Sequence, residues 1–331
     1  MKRMLAVISA LVIFLGIAFF NESGENSKSQ SMARVGVLTL MHHPALDQIQ
    51  EGFTKGMKEE GYVNGKNVLI DYQNAQGDQS NLKTMAAKLV DEKSDVLFGI
   101  TTPASQSLAN LTKKIPVVMG AVTDPKSAGL VTNYEHPGSN ITGVSNMSPI
   151  KDQLKLIKEF MPDLKTLGVI YTSSDSSATA EYKQIVKIAA EQKVPIKVYS
   201  ISNSNDLNQV SQEMLQKVDA VMVPQDNVIA GAMQTLVKNA DAVNKPIFPA
   251  VDTMVKQGGV AAYGINQFKL GLLGGHLTAS ILKGKNKPAT TAIRYVKHGE
   301  AVLNLKQAQK LGLKVPTRFL QEATKEGKVF K

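Results

Sequence analysis

Short apolar runs and helix-spaced apolar residues alternate along most of the chain. Val35 to Leu40 is an apolar run, and Leu46, Ile49, Phe53 and Met57 follow it at helical spacing. Val68 to Tyr72 predicts a second strand, Leu82 to Val90 a second helix and Asp95 to Ile100 a third strand. Pro116 to Ala121 continues the series. The runs are continuously apolar rather than alternating, as expected of parallel strands covered on both faces. The same order then returns. Leu167 to Tyr171, Ile196 to Tyr199 and Asp219 to Val223 predict strands, with helices through Ile185–Ala189 and Leu207–Met214 between them. Two βαβαβ units, each able to close its own sheet, predict two Rossmann-like α/β lobes with parallel sheets.

The segment Thr142 to Pro149 leads from one unit to the other and is the expected hinge. A strand at Val260–Tyr263 ends near Ile265-Asn266, where the chain is expected to return, and a helix follows from Phe268 to Lys283. The tail from Ala292 carries a strand-like piece and a helix, Lys306 to Leu311. The expected division is 1–32 as a leading segment, 33–145 plus about 265–291 as the first lobe, and 146–264 plus about 292–331 as the second.

The leading segment has a pattern of its own. Lys2 and Arg3 precede an uncharged apolar stretch from Met4 to Phe20, and a polar tether runs to Met32. At about 1.5 Å per residue that stretch just spans a bilayer core. No small-x-small cleavage site follows it, so an uncleaved anchor is favoured over a cleaved export signal. The basic flank places the remainder outside the cytoplasm.

Composition narrows the chemistry. The 331 residues contain no Cys, which removes disulfides, cysteine zinc sites, iron–sulfur clusters and thiol nucleophiles. Trp is also absent and aromatics are 5%, so a stacking platform for nucleic acid is not expected. The net charge of +10 is not gathered into a dense basic run, and no nucleic-acid partner is expected. Metal-protease, P-loop and serine-hydrolase motifs are absent, and Gly271–Gly275 falls within a helical pattern rather than after a strand. The adjacent His42 and His43 lack acidic partners at ligand spacing. Neither an enzyme, a metal nor a cofactor is expected.

Open parallel sheets bind ligands where their strands end. The loops at those ends are rich in hydroxyls and carboxylates just before helices: Thr101 to Ser105, Thr123 to Pro125, Ser173 to Ser177, Gln225 to Asn227, and Asp252. Helix capping accounts for any one of them. As a set facing one cleft, they suit a zwitterion, with a carboxylate on helix N-termini and an amine on Asp226 or Asp252.

Several phrases go further. His43-Pro44-Ala45-Leu46-Asp47, Tyr72 to Ser80, Thr102-Pro103-Ala104, Ala121 to Pro125, Asn140 to Ser145 and Val223 to Asn227 resemble the ABC-transporter substrate-binding family of type I periplasmic-binding fold. Its better-understood Gram-positive members bind tryptophan and related aromatic amino acids. The resemblance covers about residues 34–325, although Thr172 to Asp175 departs from the family's phrase there.

It implies an extracytoplasmic monomer that captures a small ligand, such as tryptophan, by closing two lobes around a multi-strand hinge and presents it to an ABC permease. The N-terminal segment holds it at the membrane. The lining it implies comprises Met41, His43, Pro44, Thr102, Pro103, Ala104, Thr123, Asp124, Asn146, Ser173, Ser174, Ser177, Asp226, Asn227, Asp252 and Gln267. Ser174 and the backbone around Thr102 are expected to hold a carboxylate, and Asp226 an amine. On that basis Asp226→Ala abolishes binding and changes stability by no more than roughly 1 kcal/mol. A sensor on the same fold, a sugar or nucleoside binder, and a hydrolase using the serine loop are the competing readings.

Overall fold

The computed structural model describes residues 32–296 and 299–331. The apolar stretch from Met4 to Phe20 and most of its polar tether lie outside the described residues. Among the described residues no helix is long and apolar enough to cross a membrane.

The chain begins with β1 (Ala33–Thr39), α1 (Pro44–Glu59), β2 (Val68–Asn74), α2 (Gln79–Asp91), β3 (Val96–Ile100), α3 (Thr102–Leu111), β4 (Val117–Val122) and β5 (Ile141–Ser145). Pro44 and Pro103 open α1 and α3 at positions that need no intrahelical N–H. Asp78 caps α2 by accepting from the Ser80 and Asn81 amides. β3 and β4 are buried at every position, as their unbroken apolar runs require.

After a short crossing the chain forms α4 (Ile150–Phe160), β6 (Leu167–Thr172), α5 (Ser176–Glu191), β7 (Ile196–Ile201), α6 (Leu207–Leu215), β8 (Ala220–Val223), α7 (Asn227–Gly231), α8 (Met233–Ala242), β9 (Ile247–Pro249), α9 (Asp252–Lys256) and β10 (Ala261–Gly264). It crosses again into α10 (Gln267–Leu282) and β11 (Arg294–Tyr295). Then come β12 (Glu300–Asn304), α11 (Leu305–Lys310), α12 (Thr317–Lys325) and β13 (Val329–Phe330).

The strands form a six-stranded sheet of order β11-β5-β4-β3-β1-β2, parallel from β11 to β1, and a four-stranded parallel sheet of order β7-β6-β8-β9. β10, β12 and β13 form a third, mixed sheet. Val260, just before β10, ties it to β9 by donating its amide to the Ile247 carbonyl. This is the two-lobed α/β architecture that the alternating pattern predicts. β5 ends at Ser145 and β10 at Gly264, and Arg294 and Tyr295 pair with Val144 and Ser145 of the six-stranded sheet.

One packing contact decides where the first wall of the cleft stands. α1 crosses α10 backbone to backbone. A Cβ on Gly52 or Gly56 would collide with the Phe268 or Leu272 carbonyl, and one on Gly271 or Gly275 with the Ile49 or Phe53 carbonyl. The glycine cluster that is no nucleotide motif is thus a helix-crossing surface. Beneath it Phe53 stacks on Phe98 at 4.2 Å, and Gly120 and Gly274 leave room for the Phe98 ring. The second half has its own core, in which Phe160 meets Phe248 and Phe319 edge-on.

Candidate functional site

In both parallel sheets, two neighbouring central strands send their following helices in opposite directions: β1 and β3 in one, β6 and β8 in the other. Ligands bind at such switch points. Here the two switch points face each other. The loop after β1 supplies His43, the loop after β3 supplies Thr101, and the end of β4 supplies Ala121. From the other side come Ser177, Asp226 and Asn227. They enclose a cavity of about 30 Å³ with Asn146, Gln225 and Gln267. Ala45, Leu46, Ile49, Ala230 and Val251 complete its lining.

The walls are bonded across the cleft. Ser177 Oγ donates to Thr102 Oγ1 at 3.1 Å, and His43 Nε2 lies 3.3 Å from Asn227 Oδ1. Asn146 Nδ2 donates to Gln225 Oε1, and Gln225 Nε2 donates back to the Asn146 carbonyl and to Ser148 Oγ. Ala45 packs into the hydrophobic cluster of the opposite lobe with Ile229, Ala230 and Val251.

Two features on the β1/β3 side are costly. Thr101 and Ala121 have φ of 96° and 82°, where side chains other than glycine are strained. Ala121 also marks a register shift between β4 and β5. Second, His43 Nδ1, Thr123 Oγ1 and Asn146 Oδ1 are buried without a hydrogen-bond partner among the described residues. Burial drives the His43 pKa below its ordinary value, against the Asn227 bond and the charges of Asp47 and Asp175. His43 is therefore neutral near pH 7.

The β6/β8 side is acidic, and its two loop carboxylates are internally satisfied. Asp175 caps α5 through the Ser177 and Ala178 amides and accepts from the amide and Nδ2 of Asn227. Asp226 caps α7 through the Ile229 amide and accepts from the amide and hydroxyl of Thr172. Burial, and then the neighbouring Asp175, raise the Asp226 pKa. Behind them Glu181 is fully buried, and neither of its oxygens has a partner among the described residues. Desolvation pushes its carboxyl up to about 7.

The expected lining residues fall into three groups. His43, Asn146, Ser177, Asp226, Asn227 and Gln267 meet at the central cavity. Met41 and Pro103 line a separate cavity of about 260 Å³, Thr102, Asp124 and Ser173 one of about 610 Å³, and Ser174 borders both. Pro44, Ala104 and Thr123 are first-turn or strand-end residues next to the centre.

Three expectations change. Asp252 is not a free acceptor: it bonds the Thr253 amide, and Lys328 neutralises it at 3.0 Å. Asp226 holds three local donors, so its removal costs structure as well as binding. Ser174 donates to the Ser202 carbonyl, away from the central cavity. Ala121 was not expected in the lining, and Thr101 and Gln225 were named only as members of their loops. A non-glycine residue in a left-handed conformation leaves no mark in sequence, whereas Gln225 sits within the recognised Val223–Asn227 phrase.

Two lobes, facing switch points and a buried polar cavity bonded from both sides define a ligand-capturing protein of the periplasmic-binding type. Residues 34–326 match the family described as ABC transporter substrate binding protein. The chain belongs to that family, whose members are non-catalytic solute-binding proteins. It is 36% identical over 304 residues to a tyrosine-binding protein of Clostridioides difficile (strain R20291), covering 88% of each chain. It is similar to a Streptococcus pneumoniae ABC domain in complex with L-Trp, with 39% identity, a TM-score of 0.87, 91% of this chain and 100% of that one covered. A ligand-free, open substrate-binding protein with adhesive properties from Clostridium difficile is 33% identical, with a TM-score of 0.68 and 86% and 96% covered.

Proposed function

We propose that this protein captures an aromatic amino acid, tyrosine or tryptophan, between its lobes and delivers it to an ABC permease. The identity to relatives named for tyrosine and for L-Trp carries the reading. The cavity supports it. Its apolar side, Leu46, Ile49, Ala230 and Val251, suits a ring. Its polar side, Asn146 Oδ1, His43 Nδ1 and Asp226, offers acceptors for an amine.

The expected loops at Met41–Pro44, Thr102–Ala104, Thr123–Asp124, Ser173–Ser177 and Asp226–Asn227 line the way in. Ligand pockets ordinarily hold about 300–1,000 Å³, so the walls must part to admit an amino acid and close on it afterwards. The higher TM-score to the L-Trp complex than to the open protein supports reading the present lobe arrangement as closed. Ligand bridging both walls is what shifts the equilibrium toward closure. The first lobe is assigned 33–145 with about 265–295, and the second the remainder. The protein acts as a monomer, held outside the membrane by its basic-flanked apolar segment, Met4 to Phe20.

The test is a thermal-shift panel. The protein is freed of bound ligand by unfolding and refolding, then screened with the twenty amino acids and common sugars and nucleosides. A ligand at about 100 times its Kd adds about 2.7 kcal/mol. A rise confined to tyrosine, tryptophan or both is expected. A rise with a sugar or nucleoside alone overturns the amino-acid assignment.

A further inference from the structure

The hydrogen-bonding roles of His43 are set by a chain of partners from the opposite lobe. Asn227 Nδ2 donates to the Asp175 carboxylate at 2.7 Å. The other end of that amide, Oδ1, therefore faces His43, and a carbonyl oxygen only accepts. His43 Nε2 must then carry the proton, so Nδ1 of the neutral ring is a bare acceptor. That nitrogen is buried and unpartnered among the described residues. Asn146 shows the same logic. Its Nδ2 is committed to Gln225, which leaves Oδ1 as a second buried acceptor without a partner. Both residues line the central cavity with Asp226, and no lysine or arginine is among that lining.

We propose that His43, locked as an Nδ1 acceptor by Asn227 and Asp175, is a specificity-determining residue that reads the ligand's α-ammonium group together with Asn146 Oδ1. The inference rests on the ligand being an α-amino acid. An ammonium brings three donors and one positive charge, and two of those donors match the two unpartnered acceptors. A carboxylate brings only acceptors and finds none of its complement in this set. The lock also depends on closure. His43 follows β1, whereas Asn227 and Asp175 follow β8 and β6, so the amine-reading geometry is completed only when the walls meet. Asn227 is a positioning residue in this account.

The surroundings of His43 fix the pH dependence. Asp47 lies one turn along α1, and Asp175 and Asp226 lie across the cleft at the starts of α5 and α7. Asp252, on the helix packed against α1, is tied to Lys328. All are acids, and burial still holds the ring neutral at pH 7. Protonation at lower pH turns Nδ1 into a donor and adds a positive charge beside the ammonium. Affinity should therefore fall as pH drops through a His43 pKa below the ordinary 6.5.

The experiment uses the full chain, titrated calorimetrically from about pH 5 to pH 8. The probes are L-tyrosine, L-tryptophan and their deaminated analogues, 3-(4-hydroxyphenyl)propionate and indole-3-propionate. His43→Ala should weaken both amino acids roughly 10- to 100-fold, the range for a hydrogen bond to a charged group. It should leave the analogues within about threefold. The extra acid loss of affinity in the wild type should vanish in His43→Ala. Nitrogen-15 NMR of the ring should show Nε2 protonated and Nδ1 bare at neutral pH, and Asn227→Ala should populate both tautomers. A proton on Nδ1 in the liganded wild type overturns the inference, as does an equal loss for amino acids and analogues. If another amino acid binds in place of the aromatic ones, the ligand reading fails alone, and the same arms run with that amino acid and its analogue decide the role of His43. A ligand without an amine overturns both.

Discussion

The two walls of the cleft are built on the same topology and carry opposite kinds of residue. Both place polar side chains at the ends of adjacent parallel strands, just before helices. On the β6/β8 wall, Asp175 and Asp226 are consumed by the structure, since between them they hold the starts of α5 and α7, Asn227 and Thr172. On the β1/β3 wall and the adjoining crossing, His43, Thr123 and Asn146 keep buried polar atoms without a partner among the described residues, and Thr101 and Ala121 hold strained backbone. A carboxylate at a strand end is thus no guide to where ligand is read. Unpartnered atoms and strain are the better guide, because the fold bears their cost without a structural return.

The largest effect should come from moving one wall without touching its polar groups. Gly271→Val drives a branched side chain into the Ile49 carbonyl and pushes α1 off α10. Overpacking of this kind costs about 3 kcal/mol. Chemical denaturation should show that loss, and ligand affinity should fall with it because α1 carries His43 and Ala45 into the cleft. Unchanged stability would mean that the helix crossing does not position the β1/β3 wall.

The next effect tests the wall that looks like a binding site but is built of caps. Asp226→Ala removes a cap and both Thr172 bonds from a buried site. Loss of a cap alone costs about 1 kcal/mol, and the stranded donors raise the total to about 2 kcal/mol. A stability change under half of that in urea unfolding would restore Asp226 to a purely ligand-binding role.

How much of this was legible beforehand follows from the same contrast. The apolar runs predicted β1 to β4 and β6 to β8. β5 falls in the segment read as the hinge, and β9 and β11 are only three and two residues long, too short to leave a pattern. At the site, the recognised phrases name loops but not which residue of each loop faces the central cavity. Ser174 and Ser177 stand three positions apart, yet one points to the outer cavities and the other to the middle. Asp252 looked like an amine acceptor because Lys328, its partner, is 76 residues away in sequence.

The smallest effect, and the one with a sign to check, concerns Glu181. It lies behind the acidic wall, beside Ser148 and the Gln225 backbone, where the crossing strands meet. Its carboxyl titrates near 7 when folded and near 4.5 when unfolded. Below pH 4.5 both states are protonated and the folded protein bears no charge penalty there. As pH rises toward 7 the unfolded state ionises first, so stability is lost, and above 7 the loss is complete. Glu181→Gln removes that dependence but buries an amide that also lacks partners, at a cost of about 1–2 kcal/mol. The shift in pKa corresponds to roughly 3 kcal/mol between the two ends of the range. The variant should therefore be less stable than the wild type at about pH 4 and more stable by about 1 kcal/mol at about pH 8. The quantity to follow is the difference between the two unfolding free energies as a function of pH, because titrating groups remote from Glu181 contribute equally to both proteins. A difference that stays constant between about pH 5 and pH 7 would show that Glu181 is already ionised across that range in the folded protein, and that a buried negative charge stands behind Asp175 and Asp226.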